Sequence, residues 1–271
     1  MVKIPNQKAF TSAVEGFLKA APATLAGWWQ DSRRAAGFFT NFPVAQDEVP
    51  PPLADAARAF GLVGAAVGLV AGLGFAVAAW IGLSPLASAF VALAVGAVVT
   101  GALHEDGLAD MADGFGAGQN RAQVLKIMRD DRLGVFGMLA LMFAVGTKAA
   151  LLASLTTGGA FAALIAAGAL SRAALPLVMN QVTPARRDGL ARGAGKPELD
   201  AALTAALLGG LIGLLVLGPF AGILAAALVA AAVVAVASYA RREIGGTTGD
   251  VLGAIQQAAE IAVFAAAAIA A

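Results

Sequence analysis

The residues best suited to chemistry in this 271-residue chain lie in one short segment, His104–Gly114, with the sequence HEDGLADMADG. Within it, Asp106, Asp110 and Asp113 follow the spacing i, i+4, i+7, which places three carboxylates on one face of a helix. Carboxylates this close repel one another unless a cation lies between them, and hard oxygen ligands suit Mg²⁺ or Mn²⁺. The segment therefore predicts a metal site, with a solvated acidic loop at a helix end as the simpler alternative.

A second segment, residues 126–132, mixes basic and acidic side chains. Arg129 and Arg132 suit phosphate binding beside a divalent metal, because guanidinium groups bind phosphate oxygens through paired donors. Asp130 lies between them and completes this candidate substrate-binding set. The alternative is a positively charged loop whose charges pair with one another.

The third segment is a glycine-rich turn, residues 245–250, just before the last apolar stretch. Glycine lets a backbone approach a ligand closely, and the N-terminus of a following helix offers N–H groups to an anion. Gly246, Thr248 and Gly249 are therefore candidate substrate-binding residues, and Asp250 is a candidate catalytic residue, with a plain turn as the alternative. We expect the turn to lie close to residues 106–113, because a pyrophosphate needs both a metal and further donors.

The composition places these segments in a membrane protein. Hydrophobic residues make up 59% of the chain and charged residues 13%, against about 45–50% and about 25% in soluble proteins. This balance excludes an ordinary soluble domain and a nucleic-acid-binding protein with a basic face. The chain has no cysteine and a single histidine, His104, which excludes disulfides, cysteine nucleophiles and multi-histidine metal sites.

Seven stretches are long and apolar enough to cross a bilayer core of about 30 Å as helices. They are residues 61–83, 86–103, 133–156, 160–182, 201–217, 220–238 and 251–270. The short connections around residues 84, 158 and 218 contain no Lys or Arg, whereas the other connections are basic. The positive-inside rule therefore predicts an all-α polytopic bundle whose basic connections face the cytoplasm.

The chain divides into two parts by composition. Residues 1–60 are expected to form a cytoplasmic extension with one or two amphipathic helices lying on the membrane, in segments 13–20 and 28–39. Residues 61–271 are expected to form the transmembrane catalytic domain.

Three charged residues, Lys148, Arg172 and Glu260, fall inside the predicted spans. Charged groups within a bilayer are costly and usually functional, so Arg172 joins the candidate substrate-binding residues. Pairing with an opposite charge on another helix is the structural alternative for each of them.

At these segments the sequence resembles the cobalamin synthase family, the adenosylcobinamide-GDP ribazoletransferases. Residues 104–114 match the family stretch His-x-Asp-Gly-Leu-Ala-Asp-x-x-Asp-Gly, and residues 128–134 match Met-Arg-Asp-x-Arg-Leu-Gly. Residues 245–254 match Gly-Gly-x-Thr-Gly-Asp-x-Leu-Gly-Ala, and Ala185-Arg186 is a weaker shared feature.

The resemblance implies a Mg²⁺-dependent, multi-pass enzyme of the bacterial inner membrane with its active site on the cytoplasmic face. Its substrates would be adenosylcobinamide-GDP and α-ribazole or the 5′-phosphate of α-ribazole, and GMP would be released. The acids at 106, 110 and 113 would hold the metal, and Arg129 and Arg132 would neutralise the leaving phosphate. His104 or one of the acids would accept the nucleophile's proton. The lipid bilayer and other enzymes of cobalamin biosynthesis are the implied partners.

Two other functions are compatible with the sequence. A CDP-alcohol phosphotransferase is suggested by residues 110–114, which copy the start of its motif, but Gly118 stands where that motif has Arg. An ion-coupled transporter would line a path with residues 106–113, Lys148 and Arg172. Transporters place such charges near the bilayer midplane, whereas most charges here cluster at one face.

Overall fold

The computed structural model describes residues 25–44 and 51–271, and in these ranges the chain is helical, without a β-strand. A 3₁₀ helix, Leu53–Ala59, leads into the first long helix. The α-helices are α1 (Leu25–Phe39), α2 (Phe60–Trp80), α3 (Pro85–Thr100), α4 (Leu103–Ala117), α5 (Arg121–Ile127), α6 (Val135–Ala153), α7 (Thr157–Gln181), α8 (Leu190–Gly193), α9 (Leu199–Leu217), α10 (Pro219–Ile244) and α11 (Gly249–Ala270).

Six helical segments of the described chain are long and apolar enough to cross a membrane. They are the 3₁₀ helix together with α2, and then α6, α7, α9, α10 and α11; the bent pair α3 and α4 is the seventh candidate. The predicted all-α bundle of about seven spans is confirmed. The amphipathic segment expected over 13–20 lies outside the described residues. Helix α1 covers segment 28–39, and its place on a membrane surface stays a prediction.

The second span differs from the sequence-based prediction. It ends at Thr100 rather than at residue 103, and the chain then turns by 93° into α4. Gly101 and Ala102 make the turn, both in the left-handed region with φ of 63° and 54°. Asn41 packs against the turn, since its backbone N–H donates to Val99 O at 2.8 Å. Because of this turn, α4 does not continue in the direction of α3, and it packs against α6 and α11.

Helix α7 is the centre of the bundle and the most buried of the six candidate spans. It packs against α2 through glycines: a Cβ added to Gly64 would lie 2.0 Å from Gly168 O, closer than atoms approach. The same added Cβ would lie 3.0 Å from Cδ of Arg172. The glycines therefore let α2 cover Arg172, whose side chain lies in the protein interior.

Candidate active site

The acidic segment and the glycine turn meet in one cavity of about 70 Å³. Asp106 and Gly107 of α4 line it together with Gly249 and Asp250 of α11. The helices are in close contact, since a Cβ added to Gly107 would lie 3.0 Å from Cα of Asp250. The predicted proximity of the two segments is therefore confirmed for Asp106 with Gly249 and Asp250.

The remaining walls of the cavity are largely apolar. They come from α1, the 3₁₀ helix, α2, α7 and the loop around α8, and they include Phe38, Phe39, Leu53, Phe60, Leu175, Met179 and Leu190. Low-polarity walls strengthen charge interactions, because they replace water near the acids. The cavity is suited to binding a charged group next to an apolar surface.

The carboxylates form a mutually repelling group. Asp106 is exposed and Asp110 is half-buried, and the charges of Asp106, Asp113 and Asp250 all act against that of Asp110. Arg186 offsets part of this charge, because its Nη2 donates to Asp250 Oδ2 at 3.1 Å. An acidic group this dense is stabilised by any further cation that enters it.

Asp113 is held differently from the other acids. It is buried, and its two carboxylate oxygens accept N–H groups of Gly134 at 2.7 Å and Gly137 at 2.9 Å. These donors lie at the N-terminus of α6, where unpaired N–H groups favour a carboxylate. A Cβ added to Gly134 would lie 2.3 Å from Asp113 Oδ1, so this approach needs glycine. Asp113 therefore fastens α4 to α6, and its role as a metal ligand stays a prediction.

The donor set bears on the expected Mg²⁺. Within residues 25–44 and 51–271, no three His, Asp or Glu side chains form a ready-made metal site. Mg²⁺ commonly takes one or two carboxylates and completes its shell with water and substrate phosphates. Asp106 and Asp250, which line the cavity, with Asp110 beside them, fit binding of that kind.

The glycine turn is built by hydrogen bonds. Thr248 caps α11, because its Oγ1 accepts the N–H of Val251 at 3.2 Å and lies 3.1 Å from Asp250 Oδ2. Gly246 packs against the 183–185 backbone, where an added Cβ would lie 2.3 Å from Thr183 O. Gly246 and Thr248 thus shape the turn, whereas Gly249 and Asp250 line the cavity.

The 126–132 segment lies apart from the cavity. Arg132 pairs with Asp130 at 2.9 Å while its side chain stays 88% exposed. Hydrogen bonds from Arg132 lower the pKa of Asp130 below its usual value. Arg129 pairs with Asp188, and both side chains are largely exposed. None of Arg129, Asp130 and Arg132 lines the cavity, so their role in substrate binding stays a prediction.

His104 lies in the cavity wall and is buried. Its ring stacks on Phe39, with ring centroids 5.7 Å apart. Its Nε2 is buried and has no hydrogen-bond partner among the described residues. The side chain therefore combines an unpartnered ring nitrogen with a place in the wall of the cavity that Asp106 and Asp250 also line.

Sequence reasoning missed Arg186 as a site residue. Its side chain is 14% exposed and pairs with Asp250, and its Nη1 is buried without a partner in the described chain. The available signal was Ala185-Arg186, the weaker feature shared with the family, which does not indicate a contact with Asp250. Arg172, by contrast, does not line the cavity and pairs with Glu260 deeper in the bundle.

Fold and site together define a polytopic helical membrane protein with an acidic, arginine-paired site at one end of the bundle. The profile of the cobalamin-5-phosphate synthase family matches residues 31–268. The chain therefore belongs to the cobalamin-5-phosphate synthase family.

Similar curated proteins carry the name adenosylcobinamide-GDP ribazoletransferase. That of Azorhizobium caulinodans is 43% identical over 244 residues, covering 86% of this chain and 92% of the relative. That of Sinorhizobium medicae is 43% identical over 256 residues, covering 90% and 97%. That of Bradyrhizobium diazoefficiens is 41% identical over 236 residues, covering 86% and 91%. No solved structure matches the chain.

Proposed function

We propose that this chain joins the adenosylcobinamide phosphate group of adenosylcobinamide-GDP to α-ribazole, or to its 5′-phosphate, with release of GMP. This is the nucleotide-loop assembly step of cobalamin biosynthesis. The observation that carries the proposal is the shared cavity: the acidic segment and the glycine turn, far apart in sequence, line it together. Their residues are those expected to bind a pyrophosphate.

The reaction balances as a phosphoryl transfer. A hydroxyl oxygen of the ribazole forms a bond to the corrinoid-side phosphorus, and the bond from that phosphorus to GMP breaks. GMP leaves with the electron pair, and the hydroxyl proton passes to a base. His104 is our candidate base, because its buried Nε2 has no partner in the described chain and the ring lies in the cavity wall.

Phosphate oxygens would be held by two kinds of donor. Arg186 has an unpartnered buried Nη1 beside its bond to Asp250, and α11 presents its first N–H groups at Gly249 and Asp250. The cavity of about 70 Å³ is far smaller than pockets of about 300–1,000 Å³ that enclose whole ligands. We infer that it holds the reacting phosphates while most of the corrinoid lies outside.

Mg²⁺ is the proposed cofactor. Asp106, Asp110 and Asp250 would hold it, and Asp113, whose oxygens already accept two N–H groups, would orient α4. When bound, the ion supplies positive charge that offsets charge on the phosphoryl oxygens. Arg186 adds a fixed positive charge beside Asp250.

The proposed location is the cytoplasmic face of the bacterial inner membrane. The cavity lies at the end of the bundle that carries the basic connections, which the positive-inside rule assigns to the cytoplasm. The cysteine-free chain suits single-cysteine labelling: Ser84, Gly158 and Gly218 should label from the periplasm, and Asp131 should not. Cytoplasmic labelling at any of the three short connections would overturn this orientation.

The activity is tested by GMP release from purified protein in detergent, given adenosylcobinamide-GDP and α-ribazole. We expect GMP and the cobalamin product in equal amounts, and loss of both when EDTA removes Mg²⁺. Asp131→Asn, at an exposed acid outside the cavity, should match the wild type. A folded wild type that releases no GMP, or releases it without α-ribazole, would contradict the proposal.

A further inference from the structure

A second polar cluster lies deeper in the bundle, and the proposed reaction does not use it. Its members are Glu105 on α4, Lys148 on α6, Arg172 on α7, and Gln257 and Glu260 on α11. Counted from the helix ends nearest the cavity, Lys148 lies about 20 Å along α6, Glu260 about 16 Å along α11 and Arg172 about 14 Å along α7. These depths are near the middle of a bilayer core of about 30 Å.

The contacts within the cluster are short. Lys148 Nζ donates to Gln257 Oε1 at 2.7 Å and to Glu260 Oε2 at 3.1 Å. Gln257 Nε2 donates to Glu105 Oε1 at 3.0 Å. Lys148 is 2% exposed and Gln257 is 1% exposed. Two cations, counting Arg172, thus face two carboxylates, so the cluster is neutral at a depth where a single charge is costly.

The cluster lies next to the place where α4 crosses α11. Gly107 and Gly253 meet at the crossing, where a Cβ added to Gly107 would lie 3.2 Å from Cα of Gly253. Two glycine surfaces allow a close approach but offer no side chains that interlock. The crossing by itself therefore does not define how the first turn of α4 is rotated about its own axis. Asp113 fixes the rotation of α4 only toward the other end of the helix, through Gly134 and Gly137.

Glu105 is in a position to define that rotation. Neighbouring residues of a helix point about 100° apart, so the direction of Glu105 also sets the directions of His104 and Asp106. On α11, Gln257 follows Asp250 by seven residues, about two turns, and therefore lies on the same face. The Glu105–Gln257 hydrogen bond thus links the rotation of α4 to the helix that carries Asp250.

We propose that Glu105, Gln257 and Lys148 form a rotational lock that keeps Asp106 beside Asp250 and His104 in the cavity wall. Lys148 holds the amide of Gln257 in the orientation that donates to Glu105. The three are positioning residues, and the proposal rests on the proposed function for the roles of His104 and Asp106. A lock of this kind affects the rate of the chemical step more than the binding of substrate.

The test is a double-mutant cycle on kcat with Glu105→Leu and Gln257→Leu. Each variant breaks the same hydrogen bond, so each should lower kcat about tenfold or more while KM changes by less than about twofold. The double variant should be no slower than the slower single one, because the bond is already lost. Glu105→Gln keeps an oxygen that accepts from Gln257 but removes one negative charge from the cluster, so it should be faster than Glu105→Leu and slower than the wild type. If a leucine variant does not fold, Gln257→Asn shortens the side chain while keeping it polar.

Ser171→Ala is the control, because it removes a hydrogen bond to Gln256, the neighbour of Gln257, and leaves the bonds of Gln257 and Glu105 in place. It should keep the wild-type kcat. Hydrogen exchange provides a readout independent of activity: amides 103–107 should exchange faster in both leucine variants and not in Ser171→Ala. Additive kcat losses, an unchanged kcat or unchanged exchange would overturn the lock. If the wild type released no GMP, the proposed function would fail, and the exchange data would still decide the inference.

Discussion

Two arginine–aspartate pairs tie the same loop to the rest of the molecule, and they differ in burial. Arg186 of the loop pairs with Asp250 at 3.1 Å, and the side chains are 14% and 16% exposed. Asp188, two residues later, pairs with Arg129, and the side chains are 66% and 51% exposed. An exposed pair contributes little, because water and salt screen it. The inner pair therefore belongs to the site, whereas the outer pair is a surface contact that contributes little to stability.

The inner pair should give the larger loss when it is broken. Asp250→Asn should lower kcat about a hundredfold or more, because it removes a charge that faces both Arg186 and the proposed metal. Substrate affinity should fall less than kcat. GMP-release kinetics and a binding titration with adenosylcobinamide-GDP measure the two effects.

Asp188→Asn is the matched control for that experiment, since it makes the same chemical change in the outer pair. We expect its kcat to stay within about twofold of the wild type. Equal losses of kcat in Asp250→Asn and Asp188→Asn would show that burial does not determine which of the two pairs supports catalysis.

Some features of the fold and of the site could be predicted from the sequence. The spans follow from the length of apolar stretches, and the shared face of Asp106, Asp110 and Asp113 follows from the helical period. Their proximity to the glycine turn followed from the donors that a pyrophosphate needs. These inferences depend on local spacing or on chemistry, and they were confirmed where the structure tests them.

Other features depend on tertiary contacts that no local pattern carries. Arg186 is one basic residue among several in its loop, and only the fold brings it to Asp250. Nothing in the sequence indicates that Ala102 adopts a left-handed conformation. Together with Gly101 it nevertheless makes the turn that gives α4 a different direction from α3. The pairing of Lys148 and Glu260 was predicted only as an alternative. The position of a charged residue within an apolar stretch indicates that its side chain is buried, but it does not indicate which residue the side chain contacts.

A loss of kcat between these two extremes is expected at Gly246, where the glycine turn packs against the loop that carries Arg186 and Asp188. In Gly246→Ala the new Cβ would lie 2.3 Å from Thr183 O and 2.9 Å from Ala185 N. Both are backbone atoms of the loop, so the turn and the loop must separate, and Arg186 moves away from Asp250. We expect kcat to fall about tenfold and the melting temperature in detergent to fall with it.

Gly249→Ala is the comparison variant for Gly246→Ala, because its new Cβ would contact only the Leu190 side chain, at 3.2 Å. A leucine side chain gives way more easily than backbone, so this variant should stay within about threefold of the wild-type kcat. A larger loss in Gly249→Ala than in Gly246→Ala would mean that ligand approach, rather than loop attachment, is the role of the turn.

The smallest effect is expected at the exposed charges of the 126–132 segment. Arg132 contacts Asp130 with its side chain 88% exposed, and Arg129 contacts Asp188. If their positions here are those of the working enzyme, Arg129→Ala and Arg132→Ala should each change kcat and KM by less than about twofold. If they instead bind the leaving phosphate, as the sequence suggests, KM for adenosylcobinamide-GDP should rise about tenfold, since a charge-assisted contact to phosphate would be lost. Steady-state kinetics at two salt concentrations separate these outcomes. A KM that rises in both variants, and depends less on salt than the wild-type KM does, would assign this segment to the substrate and require the loop to close over the cavity during turnover.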